Sequence, residues 1–191
     1  MSGEPDEGRS SCHGPRSGPN SPAGSRYGDV VLLRLARPDD AEATREIYNA
    51  EVTGSTVTFD LVPRTRAEQE AWIDQRSGAM AVVVAEVEGR VAGFASLSPY
   101  RDRPAYATTV EDSVYVHADF RGRGVGRALL SEVLDIAATR GFHAVMARVV
   151  GGHETSIGLH ESLGFRIVGT EVEVGRKFGR WLDVVLLQKM L

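Results

Sequence analysis

Cysteine is nearly absent from this sequence: Cys12 is the single one among 191 residues. No intrachain disulfide can form, and one sulfur cannot build a thiolate cage around a metal ion. The five histidines fall in no H-x-H or H-E-x-x-H spacing, which argues against a metal site. A long basic run is also missing, and the formal net charge is −4, so the electrostatic footprint of a nucleic-acid binder is lacking. No apolar run approaches the roughly 18–20 residues that span a bilayer, and the polar start lacks the apolar core of a secretory signal. These absences lead to the expectation of a cytoplasmic protein with no metal, nucleic-acid or membrane partner.

What is present divides the chain in two. Residues 1–28 are dominated by Gly, Pro and Ser and contain no Val, Leu, Ile or Phe. Such a segment cannot bury enough apolar surface to offset its ordering entropy, so a disordered tail is expected, with Cys12 and His13 as bystanders. From Asp29 to Leu191 the chain reads as one domain, with an ordinary balance over the whole sequence of 42% apolar and 25% charged residues.

Within that domain strand and helix signals alternate. Val30–Leu35 reads as a strand. A helix starts at Pro38 and runs to about Val52, and a second, capped by Thr65 with Glu68, runs to Gly78. Met80–Val87 and Val91–Leu97, divided by Glu88-Gly89-Arg90, predict a hairpin. A strand over Thr109–Val116 leads through a glycine-rich turn into a helix over Gly124–Arg140. Its buried stripe is Val125, Leu129, Val133, Ile136 and Ala137. A strand (His143–Val150), a short helix (Glu154–Leu163) and two strands (Phe165–Val172 and Trp181–Gln188) complete the order β-α-α-β-β-β-α-β-α-β-β. That order implies an α/β fold: a mixed, mostly antiparallel sheet flanked by helices on both faces.

The chemistry concentrates first in Arg121-Gly122-Arg123-Gly124-Val125-Gly126, between a strand and an amphipathic helix. Successive small residues let backbone N–H groups converge, the helix N-terminus adds partial positive charge, and Arg121, Arg123 and Arg127 surround the turn. This suits a phosphate group. It is not a Walker A loop, since no Lys-Ser or Lys-Thr pair follows, nor a G-x-G-x-x-G, since Arg127 stands where the third glycine belongs.

The same six residues resemble the pyrophosphate loop, [QR]-x-x-G-x-[GA], of the GNAT family of N-acetyltransferases. Ser156–Phe165 looks like that family's late helix and following strand. His160 where many members carry Tyr, together with Gly175–Asp183, Ser55–Phe59 and Arg103-Pro104-Ala105-Tyr106, resembles the phosphinothricin and methionine sulfoximine/sulfone acetyltransferase branch. The resemblance implies acetyl-CoA as cosubstrate and a small amino-acid-like acceptor. It implies cofactor contacts along Ser113-Val114-Tyr115-Val116, with Val114 and Val116 pairing with the pantetheine amides, and at Arg121–Gly126. His153 stands where the family usually has Asn against the pantetheine arm. Further implied are a gap between the fourth and fifth strands for the thioester, and a homodimer in which Lys177 and Trp181 reach towards a partner.

For the acceptor, the resemblance makes Glu111 the base, Arg103 and Tyr106 substrate contacts, and Phe59 a wall of the pocket. An ordinary carboxylate is a weak base for an amine, so a raised pKa or an intervening water is expected. His160 shares a helix face with Ile157 and Leu163 and turns inward. Its expected roles are thiolate protonation, a proton relay, or a hydrogen bond to Glu111 or Tyr115. Two other readings stay open: a peptide or protein N-terminal acetyltransferase of the same family, and a non-catalytic acyl-CoA-binding domain.

Overall fold

The computed structural model describes residues 31–191. The tail expected over residues 1–28 lies outside the described residues. Seven strands form one sheet in the order β1-β2-β3-β4-β5-β7-β6. They are β1 (Leu32–Leu35), β2 (Val82–Val87), β3 (Arg90–Pro99), β4 (Thr109–Val116), β5 (Ala144–Val150), β6 (Arg166–Lys177) and β7 (Arg180–Met190). Every pairing is antiparallel except β4 with β5. The connections explain this. The β2–β3 hairpin turns through Glu88 and Gly89, whose φ values of 52° and 76° fit a turn that follows the strand twist. Between β4 and β5 the chain instead runs through α3 (Val125–Thr139), the kind of crossover that parallel neighbours require.

Helices cover both faces, as the alternation implied. On β2, Val83, Ala85 and Val87 belong to a core shared with Leu129, Leu130, Val133 and Ala137 of α3. Val82 and Val84 belong to a second core with Ile47, Tyr48 and Val52 of α1 (Ala41–Gly54). Alternate residues face opposite sides of a strand, so a strand sandwiched this way becomes an unbroken apolar run. Helix α2 (Arg66–Asp74) starts with the expected capping box: Glu68 N–H donates to Thr65 Oγ1 at 3.2 Å, and Thr65 N–H donates to Glu68 Oε2 at 2.7 Å. It stops four residues before Gly78, and Ile136 of α3 lies at the margin of its core.

The main departure lies near the C-terminus. β6 continues past Val172 to Lys177, through an irregularity between Glu171 and Gly175 where Glu173 takes φ 51°. Lys177 and Trp181, expected to reach towards a partner, flank the turn of a β6–β7 hairpin at Phe178 and Gly179. Lys177 is 3% exposed and donates to the Thr58 carbonyl of its own chain at 2.8 Å, whereas Trp181 is 60% exposed. The ammonium group is spent on fixing the loop after α1.

Candidate active site

β4 and β5 stay paired for only three residues: Thr109 with Ala144, Val110 with Val145, and Glu111 with Met146. Beyond that point β4 follows β3 as far as Val116, while β5 follows β7 as far as Val150. The sheet therefore forks, and residues 112–116 keep a strand partner on one side only. Ser113, Val114, Tyr115 and Val116 run along this edge. Strand alternation turns the backbone groups of Val114 and Val116 to its open side, where they can meet an extended ligand, although Arg121 Nε already donates to the Val116 carbonyl at 3.2 Å. The side chain of Tyr115 is committed elsewhere, stacked on Phe94 at 5.3 Å and edge-on to Tyr48 at 5.1 Å. Its backbone is paired with Phe94 of β3, so Tyr115 braces the edge and the groups open to a ligand are those of Val114 and Val116.

The open edge leads into the glycine turn. Gly122 and Gly124 take φ 72° and 81°, and a Cβ on either would meet no atom within 4 Å. Backbone conformation demands glycine there, and the space above stays clear for a ligand. Gly124 is the N-cap of α3, whose first internal hydrogen bond runs from Ala128 N–H to Gly124 O at 3.0 Å. The preceding N–H groups have no partner within the helix and face an anion with the dipole behind them. The arginines are less free than the sequence implied. Arg127 donates to Ser162 Oγ at 2.7 Å on α4 (Glu154–Ser162), Arg121 is paired with Glu51, and Arg123 lies over the Phe120 ring. With those side chains engaged, what the turn leaves open is the backbone of Arg121–Gly126, with Val125 opening the helix and a Cβ on Gly126 placed 3.5 Å from Val116 and Leu159. This open edge and clear cradle fit the pantetheine arm and pyrophosphate of acetyl-CoA.

Across the fork, His153 caps α4. Burial pushes its imidazole below the ordinary value, the nearby Glu51 opposing and Arg121 and His160 adding to the shift. It is the neutral ring, able to donate one hydrogen bond, that borders the gap.

Glu111 is the last β4 residue with partners on both sides, Ser98 on β3 and Met146 on β5, which puts it at the apex of the fork. Burial raises its carboxyl above the ordinary value; Arg148 opposes this, Asp112 and Glu171 add to it, and Arg101 opposes it. The raised pKa expected of a base is present, with desolvation as its main cause.

His160 does not reach Glu111 or Tyr115. Its Nε2 lies 3.1 Å from Asp112 Oδ2 and its Nδ1 lies 2.7 Å from the Ser156 carbonyl. Strand alternation is the reason: Asp112 shares the α3 and α4 face with Val110 and Val114, whereas Glu111 and Tyr115 point the other way. The pair is nearly sealed from solvent, at 5% and 1% side-chain exposure. Burial disfavours a charge on the ring, but the hydrogen bond and charge of Asp112, with the Ser156 carbonyl, outweigh it and raise the imidazole pKa.

The residues expected on the acceptor side lie in two loops, one after α1 and one before β4. Phe59 lies directly over Gly175, where a Cβ would come within 2.2 Å of its ring, and Lys177 grips the adjacent Thr58 carbonyl. In the loop before β4, Tyr100 and Tyr106 meet edge to face at 5.5 Å and Arg101 spans both rings. Arg103 is exposed at the start of the short turn Pro104–Tyr106. Of the two arginines, Arg101 is the one whose charge bears on Glu111. Sequence reasoning missed Asp112, Arg148 and Glu171. A signal for Arg148 existed: it is the one charge in the apolar run Ala144–Val150.

Comparison with known proteins agrees with this geometry. Residues 42–165 match the model of the acetyltransferase (GNAT) family. A protein of Pseudomonas paraeruginosa named L-methionine sulfoximine/L-methionine sulfone acetyltransferase is 39% identical over 158 residues, covering 82% of this chain and 92% of its own. The crystal structure of a phosphinothricin acetyltransferase from Sinorhizobium meliloti, in complex with acetyl-CoA, superposes with a TM-score of 0.82 at 38% identity, over 84% of this chain and 88% of its own. A structure named ribosomal-protein-alanine N-acetyltransferase, from Brucella melitensis, has a TM-score of 0.82 at 38% identity, over 84% and 99%. With the fork, the glycine cradle and these matches together, the chain belongs to the GNAT family of acetyltransferases.

Proposed function

We propose that this enzyme transfers the acetyl group of acetyl-CoA to the amino group of a small amino-acid-like acceptor of the methionine sulfone, methionine sulfoximine or phosphinothricin type. The observation that carries this reading is Glu111 at the apex of the fork, its carboxyl raised by burial and beside the open β4 edge. Acetyl-CoA supplies the acetyl group as a thioester. An acceptor reaching the site as an ammonium must lose a proton before it can attack, and Glu111 takes it, directly or through one water. A C–N bond then forms, the C–S bond breaks, and the thiol and one proton are released. Both nitrogens of His160 are engaged, one with Asp112 and one with the Ser156 carbonyl, so it serves by tying α4 to β4 beside the fork. Val114, whose N–H faces the open side of β4, supplies the backbone donor to the developing oxyanion.

The acceptor carboxylate pairs with Arg103 and Arg101, Tyr106 orients it, and Phe59 closes the pocket. His153 and residues 113–116 and 121–126 hold the cosubstrate. The chain works as a cytoplasmic homodimer. The exposed Val172, Val174, Phe178 and Trp181 of the β6–β7 hairpin form the surface that such pairing would cover. No metal takes part.

Thiol release measured over a panel of amino acids tests the reading. Glu111→Gln should lower kcat/KM by about 10²–10⁴-fold with acetyl-CoA affinity retained, and should recover partly as pH rises and free amine accumulates. A wild-type rate at neutral pH would remove the base. Likeness to the Brucella melitensis protein keeps a peptide N-terminus as the second acceptor class. Methionine sulfone against its carboxyl amide separates them: a small-acceptor enzyme should lose about 1.5–3 kcal/mol in kcat/KM on amidation, and a peptide enzyme nothing.

A further inference from the structure

Arg148 is a charged residue on an apolar strand next to a candidate base. It lies two residues beyond Met146, the β5 partner of Glu111, and therefore on the same face of the sheet, roughly 6.6 Å further along the strand. Its guanidinium does not meet Glu111. It is held instead by Glu171 of β6, Nη2 to Oε2 at 2.6 Å, across the intervening β7. Arg148 sits opposite Leu186 and Glu171 opposite Val184, so the pair lies diagonally over β7 on the face that carries Glu111. Both side chains remain about one-third exposed, at 33% and 31%, open to the site and to solvent.

We propose that Arg148 and Glu171 are positioning residues for Glu111, a charge pair that tunes the carboxylate from the floor of the acceptor site. The two halves act in opposite senses. The cation favours the ionised carboxylate, and the anion disfavours it, both directly and by neutralising the cation. Both influences are present at Glu111, Arg148 drawing its pKa down and Glu171 pushing it up, against the larger effect of burial. The other charges near it are Asp112 on its own strand, Arg101 in the preceding loop, and Arg76, which donates to Ser98 Oγ on the β3 residue paired with Glu111. Of these, only Arg148 and Glu171 form an ion pair with one another, so removing either leaves the other uncompensated. The proposal rests on Glu111 being the base.

The test is the pH dependence of kcat/KM for methionine sulfone in the full-length enzyme, on the acidic limb where the base gains its proton. Arg148→Met should move that limb to higher pH and lower the rate at a pH on the limb by about threefold. Glu171→Gln should move it to lower pH and raise the rate there by a similar factor. Arg148→Lys, which keeps the charge, should hold the limb close to wild type. A merely structural ion pair predicts losses of the same sign in the first two variants with the limb unmoved, and that result overturns the proposal. Glu111→Gln separates the two ideas. Replacement of that limb, with this substitution, by a rise at higher pH that follows the free amine keeps the base reading, so an unmoved limb in the other variants then counts against the tuning alone. If Glu111→Gln leaves the limb in place, the base reading fails and the tuning with it. Titration of the Glu111 carboxyl by carbon NMR in each variant gives the same answer without turnover.

Discussion

A buried carboxylate and imidazole, Asp112 and His160, connect β4 to α4 beside the fork, and Asp112 Oδ1 has no hydrogen-bond partner among the described residues. The ring's folded pKa is raised, so the stability this contributes is fully present below the unfolded value of about 6.5. It is lost as pH rises through the folded value. Asp112→Asn should therefore cost about 2–3 kcal/mol near pH 6 and progressively less towards pH 9. Urea unfolding of both proteins across that range is the check, and a difference that does not fall as pH rises would contradict this account. The inward turn of His160 was legible in its spacing with Ile157 and Leu163. Its partner was not, because only the register of β4 against β3 and β5 decides which carboxylate faces α4.

Among the elements, the close approach of β3 to β4 depends on one glycine. A Cβ at Gly93 would stand 2.7 Å from the Tyr115 carbonyl oxygen and 3.2 Å from Val116 Cα, both backbone atoms of β4. Neither can swing aside, so the strand itself must move. Gly93→Ala should cost about 1–3 kcal/mol and weaken acetyl-CoA binding in the same protein. Gly158, inside α4, is the contrast: a Cβ there meets nothing within 4 Å, and Gly158→Ala should stabilise by about 0.5–1 kcal/mol. Thermal unfolding with and without acetyl-CoA reads both, and equal effects of the two substitutions would contradict this account. Elements with strong local signals were readable in advance, as with the Thr65 capping box and the glycine that opens α3. The far half of β6 was not. Its polar, glycine-containing stretch reads as loop, and pairing with β7 overrides that local preference.

For the whole molecule, the edge of the sheet is the feature that bears on assembly. β6 is the last strand of the sheet, and Val172 is 73% exposed, with Phe178 and Trp181 close to 60%. An apolar edge of this kind invites a partner. The proposed homodimer predicts a two-subunit mass in sedimentation velocity, falling to one subunit when Val172→Glu and Trp181→Glu are combined. Monomeric wild type at micromolar concentration would remove the dimer. Acetyl-CoA should raise the Tm of wild type far more than that of Gly124→Pro, which takes away one N–H and fixes φ where the cradle needs 81°.

The sequence by itself determined the order of strands and helices, the glycine cradle and its arginines, and the family resemblance, because these depend on periodicity and on residues adjacent in the chain. Tertiary structure alone decided where β4 and β5 part, that Glu111 stands at that point, and that His160 meets Asp112 rather than Glu111. It also brought Arg148 and Glu171, 23 positions apart in sequence, into one ion pair beside the candidate base. Each of these depends on strand register and on which face a residue takes, and a slip of one residue would reverse every one of them.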